Sequence, residues 1–183
     1  MKGVFLYPII IKLTPMKRKL LLSGIMGCLS LGMLSAQEFH LQPTPQVYEA
    51  SQDSIALPLT YALSADQKLE DSPALLLLEK LLPGKAEKAA FRISIGTKGD
   101  KAVKKYARRI PANPEGYYLK IDKDEIIIAG TDERGTYYGV QTLAQLLTLP
   151  KLPLAEITDY PDVPYRGVVE GFYGTPWSHE ARL

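Results

Sequence analysis

The residue types that do chemistry crowd toward the carboxyl end of the sequence, where Glu170, Tyr173, Trp177 and His179 stand within one ten-residue stretch. Glu170 is a lone carboxylate among glycines and aromatic residues. Two roles are open to it, a catalytic acid or a structural contact. Trp177 lies in a Thr-Pro-Trp turn, where a tryptophan more often packs a domain rim than stacks on a sugar ring. His179 has no acidic or serine partner at a recognisable spacing, so it reads as structural or solvent-facing rather than as a general base. His40 is far from it in sequence, and two histidines so far apart make no recognisable metal site. The basic run Lys98-Gly99-Asp100-Lys101-Ala102-Val103-Lys104-Lys105-Tyr106-Ala107-Arg108-Arg109 is of a kind that meets polyanionic glycans or nucleic acid. A solvated helix face explains it better, since acidic residues nearby balance it. Gly96-Thr97-Lys98-Gly99-Asp100-Lys101 lacks the spacing of a phosphate loop. The paired tyrosines at 117 and 118 and at 137 and 138 read as packing residues rather than a carbohydrate platform.

The elements that must position these residues begin only after a leader. Met16-Lys17-Arg18-Lys19 is basic, residues 20–34 are almost wholly apolar or small, and Leu34-Ser35-Ala36 ends the run before polar Gln37-Glu38. That layout predicts a secretory signal peptide over residues 1–36 and an exported protein, periplasmic or secreted. Residues 1–15 are explained by a start assigned too early, with Met16 the initiator. Ile25-Met26-Gly27-Cys28 partly resembles a lipoprotein processing site, which leaves a lipid anchor at Cys28 as the alternative. Cleavage after Ala36 is favoured because the apolar run continues past Cys28 to Leu34. Removing 36 of 183 residues leaves 147 and no cysteine, enough for one modest core held without disulfides. That composition excludes a thiol nucleophile and a zinc–thiolate site. A net charge of +2 gives no field for nucleic acid.

From Phe39 the chain alternates strand-like and helix-like segments. Residues 42–46 hold two prolines and read as an extended edge or lead-in, and residues 54–59 as a short strand. Ser72-Pro73 opens a helix with a capping hydroxyl and a proline in the first turn; Pro83-Gly84 ends it, and its leucines predict that it is largely buried. Phe91-Arg92-Ile93-Ser94-Ile95 alternates as a strand, and a helical stretch follows over residues 100–110. Residues 117–121 and 125–129 form a hairpin about Asp122-Lys123-Asp124. Asp132 caps a helix over residues 133–149, with Val140, Leu143, Ala144 and Leu147 on one face. Ala155-Glu156-Ile157 resumes an extended path. The fold class is α+β, with a mixed, mainly antiparallel sheet and two or three helices. Tyr160-Pro161-Asp162-Val163-Pro164 is a stiff connector. Behind it come a short apolar strand and, from Ser178, the first turn of a helix; one strand cannot bury itself, so a second domain is expected to continue.

Arg166-Gly167-Val168-Val169-Glu170-Gly171-Phe172-Tyr173-Gly174, with Thr175-Pro176-Trp177 behind it, resembles the opening of the catalytic barrel in glycoside hydrolase family 84, the bacterial O-GlcNAcase and hyaluronidase-like β-N-acetylglucosaminidases. Gly130-Thr131-Asp132-Glu133-Arg134-Gly135-Thr136-Tyr137-Tyr138, followed by Gln141-Thr142-Leu143-Ala144-Gln145-Leu146, looks like the last helix of the small domain that precedes the barrel in β-hexosaminidases. The resemblance implies a hexosaminidase-type small domain over residues 37–160 and the first strand of a truncated (β/α)8 barrel over residues 161–183.

It implies further a retaining exo-glycosidase acting on terminal β-linked N-acetylglucosamine, in which the substrate's own acetamido oxygen is the nucleophile, one of the exceptions to the two-carboxylate scheme. The family's acids form an Asp-Asp pair on a later barrel strand, and no such pair occurs in this sequence, so no catalytic residue is assigned here. By resemblance, Gly171 offers its carbonyl to a sugar hydroxyl and Tyr173 lines the acetamido pocket, at the end of a strand where barrel sites are built. No cofactor or metal is implied; the expected partner is an N-acetylglucosamine-containing glycan or glycoprotein, with no nucleic acid and no membrane after signal cleavage. The alternative is a non-catalytic carbohydrate-binding or adhesion module of an exported protein.

Overall fold

The computed structural model describes residues 39–167 together with Ser178 and Glu180. Glu170, Gly171, Tyr173, Trp177 and His179 lie outside the described residues, as does the leader. The strongest local signal in the sequence is also the centre of the molecule. Strand β4 (Tyr117–Ile121) and strand β5 (Glu125–Gly130) form an antiparallel hairpin, with Tyr117 opposite Gly130 and Ile121 opposite Ile126. Strand β5 is buried along its whole length. A run such as Ile126-Ile127-Ile128-Ala129, apolar on both faces, is stable only where both faces are covered.

Around this hairpin the sheet grows in both directions. Strand β3 (Arg92–Thr97) lies parallel to β5, and the short strand β2 (Ala62–Ala65) parallel to β3. On the other side strand β6 (Leu152–Asp159) runs antiparallel to β4, and strand β1 (Val47–Ile55) antiparallel to β6. The sheet order is β1-β6-β4-β5-β3-β2.

Alternation sorts the side chains onto two faces. Helix α1 (Pro73–Leu81) packs against helix α2 (Glu133–Leu146), which covers the face bearing Tyr117, Leu119, Ile126 and Ile128. The opposite face carries Tyr118, Ile127 and Ala129, packed under Val103 and Ile110. Both helices start as their sequences dictate. The Ser72 hydroxyl accepts from the Leu75 amide with Pro73 in the first turn, and the Asp132 carboxylate accepts from the Gly135 amide.

Four expectations need correction. The strand expected over residues 54–59 is displaced: β1 ends at Ile55 and reaches back to Val47. Its residues up to Ser54 are exposed, so a strand at the rim of the sheet carried no apolar alternation to reveal it. Helix α1 is not largely buried. Ala74 and Leu78 are, but Leu76 is 56% exposed, because α1 has a packing partner on one side. The stretch after Asp100 is a 3₁₀ helix, Lys101–Tyr106, followed by turns. Asp100 turns its carboxylate back to the Thr97 amide and hydroxyl, at 2.7 and 2.9 Å, rather than capping the helix. Helix α2 ends at Leu146, and its buried face is Thr136, Gly139, Val140, Leu143 and Leu146, with Ala144 and Leu147 half-buried at the edge.

Candidate functional site

Described residues that precede Gly171 and Tyr173 in the chain line a cleft of about 560 Å³. Its walls are the lead-in to β1, the start of β4, the solvent side of α2, and the connector from Tyr160 to Arg166. The lead-in is tied to the end of β6, to the connector and to α2. The Gln46 amide donates to Asp159 Oδ1 at 3.2 Å, and its side-chain Nε2 donates to Asp162 Oδ1 at 2.6 Å. Gln145 of α2 pairs with the main chain of Gln42 in both directions, at 2.9 and 2.8 Å. Deeper in, the Tyr117 and Thr142 hydroxyls lie 2.6 Å apart.

The most highly charged part of the cleft is built on Asp132. One carboxylate oxygen caps α2 through the Gly135 amide at 2.9 Å, and the other accepts from the Glu115 amide at 2.8 Å. Glu115 sits in the left-handed region (φ 60°), a conformation costly for a residue with a Cβ and tolerated where neighbours fix it. So held, Glu115 turns its carboxylate outward between two guanidinium groups. Oε1 accepts from Arg134 Nη1 at 2.9 Å, and Oε2 accepts from Arg166 Nη2. Arg166 also donates to the Val163 carbonyl at 2.6 Å and to the Tyr138 hydroxyl at 3.2 Å, and its guanidinium lies 5.8 Å from the Tyr138 ring centre.

Electrostatics follow this geometry. Hydrogen bonds from Arg166 and then Arg134 hold the Glu115 carboxyl below its ordinary range. Burial pushes Asp159 above the ordinary carboxylate range, against the Gln46 and Tyr160 amides that favour its ionised form. Burial likewise raises the Tyr117 phenol. Most polar groups of the cleft are engaged with one another, which makes it an anchorage for the exit segment rather than a preformed pocket with open valences.

The second motif singled out in the sequence, Gly130 to Tyr138, is thus a mechanical one: it holds Asp132, Arg134, Gly135 and Tyr138. Sequence reasoning missed Glu115, for nothing local marks it and its partner Arg166 is 51 residues away. Tyr117 and Tyr118 are buried packing residues, while Tyr138 is half-buried beneath Arg166. On the opposite face the basic run is partly paired, Lys105 with Glu125 at 3.1 Å and Arg109 with Glu156 at 3.9 Å, and Lys98, Lys101, Lys104 and Arg108 are exposed. Among the described residues there is no group of three or more potential metal ligands, and no helix long and apolar enough to cross a membrane.

A six-stranded mixed sheet with one α-helix laid on a face and a second packed against that helix, and an exit segment tied back to the helix cap, defines a class: the small α+β domain of hexosaminidase-type glycoside hydrolases. The chain belongs to the family described as glycosyl hydrolase family 20, domain 2, whose model matches residues 38–160. A second model, described as beta-N-acetylglucosaminidase, matches residues 166–183. The chain is 29% identical to the beta-hexosaminidase of Porphyromonas gingivalis (strain ATCC BAA-308 / W83) over 173 residues, 81% of this chain and 22% of that protein. Among solved structures it is similar to CpGH84B (31% identity, TM-score 0.67, 79% of this chain and 26% of that one). It is also similar to the beta-N-acetylhexosaminidase of Bacteroides fragilis NCTC 9343 (25% identity, TM-score 0.51, 69% and 26%). The chain therefore spans about a fifth to a quarter of the length of these relatives.

Proposed function

We propose that this chain serves a retaining exo-glycosidase that removes terminal β-linked N-acetylglucosamine, with residues 37–160 as the bracing small domain and residues 161–183 as the start of a catalytic (β/α)8 barrel. The observation that carries this reading is the order of two matched stretches, a family 20 small domain followed directly by a β-N-acetylglucosaminidase stretch from Arg166. The family 84 form is favoured by the Gly-Phe-Tyr-Gly sequence and by the closer fit to CpGH84B than to the Bacteroides enzyme. That form encompasses the bacterial O-GlcNAcase and hyaluronidase-like enzymes.

In this reading Gly171 presents its main-chain carbonyl to a sugar hydroxyl, because the absence of a Cβ lets a ligand approach the backbone. Tyr173 lines the pocket around the acetamido group with an aromatic wall and a polar tip. The acetamido oxygen attacks the anomeric carbon while an acid protonates the departing oxygen, and water then opens the cyclic intermediate with net retention. The acids of that step are the Asp pair of the family, which this sequence does not contain. The leader over residues 1–36 sends the protein across the inner membrane, to the periplasm or beyond, with a lipid anchor at Cys28 as the alternative form.

Two measurements test the reading. The purified 183-residue chain leaves a chromogenic β-N-acetylglucosaminide intact, and enzyme-dependent turnover by it would refute the assignment of the acids elsewhere. The gene product carrying the Asp pair hydrolyses that substrate with retention, and more slowly with each fluorine placed on the acetamido methyl, since fluorine withdraws electrons from the nucleophilic oxygen. A rate indifferent to fluorination removes substrate assistance.

A further inference from the structure

We infer that Glu115, Arg134 and Tyr138 form a docking node for Arg166, and that Arg166 is a positioning residue setting the direction in which the chain leaves the small domain toward Gly171 and Tyr173. Arg166 engages three separate parts of the molecule at once: the Val163 carbonyl in the connector, the Glu115 carboxylate ahead of β4, and the Tyr138 hydroxyl and ring on α2. A guanidinium suits this task because its planar, fixed donors reach several acceptors in one orientation, which an ammonium on a flexible stem does not.

The receiving side is held by contacts other than those of Arg166. The Glu115 amide is bonded to the Asp132 cap, and its second carboxylate oxygen is taken by Arg134, so the carboxylate has one free side, and Arg166 fills it. The Glu115 side chain is 16% exposed and that of Arg166 38%, whereas Arg134 is 77% exposed, so water reaches the outer edge of the node. The connector adds stiffness, with Pro161 and Pro164 fixing two backbone angles and Asp162 tied to Gln46. An isolated surface ion pair holds a chain weakly; this one belongs to a network anchored on a helix cap and a hairpin. The node stands on this geometry. Its effect on sugar binding rests on the β-N-acetylglucosaminidase reading.

Trypsin tests the node without reference to activity, because it must draw the Arg166 side chain into its own pocket to cut before Gly167. In the 183-residue chain, the ratio of cleavage after Arg166 to cleavage after exposed Arg108 is low. Glu115→Gln raises that ratio about tenfold, since cleavage follows the population of released side chain. Tyr138→Phe, which keeps the ring, raises it less. An unchanged ratio in Glu115→Gln overturns the inference. Should that variant unfold, Tyr138→Phe decides, and an unchanged ratio there overturns it as well.

The positioning role is read in the gene product carrying the Asp pair, with a chromogenic β-N-acetylglucosaminide. Arg166→Gln raises KM about tenfold with a smaller change in kcat, as displaced binding contacts require, and Arg166→Lys recovers part of the loss. A fall in kcat alone, or an unchanged KM, overturns the positioning role. Absence of turnover in the unsubstituted enzyme sinks the glycosidase reading, and the tryptic ratio still decides the node.

Discussion

Two glycines one turn apart on α2 offer a controlled comparison. Gly135 and Gly139 both lie in the helix, so replacing either by alanine gains about 1 kcal/mol of helix propensity. Their surroundings differ in kind. A Cβ at Gly135 would stand 2.0 Å from the Gly116 carbonyl oxygen and 3.0 Å from the Glu115 carbonyl carbon, both main-chain atoms. Since real contacts do not fall below 3.0 Å, the first turn must retreat by about 1 Å. That movement pulls on the Asp132 cap, on its bond to the Glu115 amide, and on the Thr131 amide bond to Gly116. A lost cap costs about 1 kcal/mol and each lost hydrogen bond a similar amount, so Gly135→Ala destabilises by about 2 kcal/mol after the propensity gain. For a chain of this size that lowers Tm by about 4–8 °C. A Cβ at Gly139 instead meets an Ile128 methyl at 2.9 Å and the Tyr117 ring at 3.3 Å. That overlap is about 0.1 Å rather than about 1 Å, so Gly139→Ala stays within about 1 kcal/mol of the parent. Urea and thermal unfolding followed by far-ultraviolet circular dichroism measure both. Equal midpoints for the two variants, or a more stable Gly135→Ala, would refute the claim that the helix cap is seated against the hairpin by main-chain contact.

Other outcomes follow from burial and charge. Leu78→Ala costs about 3 kcal/mol in urea unfolding because Leu78 is fully buried and leaves a cavity. Leu76→Gln on the same helix, 56% exposed in the parent, stays within about 0.5 kcal/mol. Burial raises the phenols of Tyr117 and Tyr118 in the folded state. The unfolded chain therefore releases those protons first, and stability present below about pH 10 is lost above it, by up to about 1.4 kcal/mol per pH unit per tyrosine. Tyr117→Phe and Tyr118→Phe each shallow that alkaline limb in a stability–pH profile; an unaltered slope in both contradicts the assignment. Glu125 is held below its ordinary range: burial opposes ionisation, and hydrogen bonds from Tyr106 and Lys105 with the nearby Arg92 charge outweigh it. Its contribution is present above the unfolded carboxylate pKa and lost as pH falls through the folded one. Glu125→Gln is therefore less stable than the parent at pH 7 and converges with it in acid; a gap that persists in acid means packing rather than charge.

The candidate site was legible in part. The Gly130 to Tyr138 motif stood out in the sequence and holds Asp132, Arg134 and Tyr138 of the node. Gly171 and Tyr173 were singled out by resemblance and lie outside the described residues. Glu115 was invisible, because a carboxylate in a loop acquires meaning only when the chain returns 51 residues later with Arg166.

Sequence alone determined the elements whose signals are local. Ser72 with Pro73 starts α1, Asp132 starts α2, Asp122-Lys123-Asp124 turns the hairpin, and the isoleucines of β5 demand cover on both faces. Each depends on neighbours within a few residues, so composition and spacing suffice. Tertiary structure decided the rest: that β3 lies parallel to β5, that β1 and β2 occupy the rims, that one side of α1 stays wet, and that Arg166 folds back onto Glu115. Rim strands have no buried face to impose a pattern, and partners far apart in sequence are chosen by the packing of the whole sheet, which no local window contains.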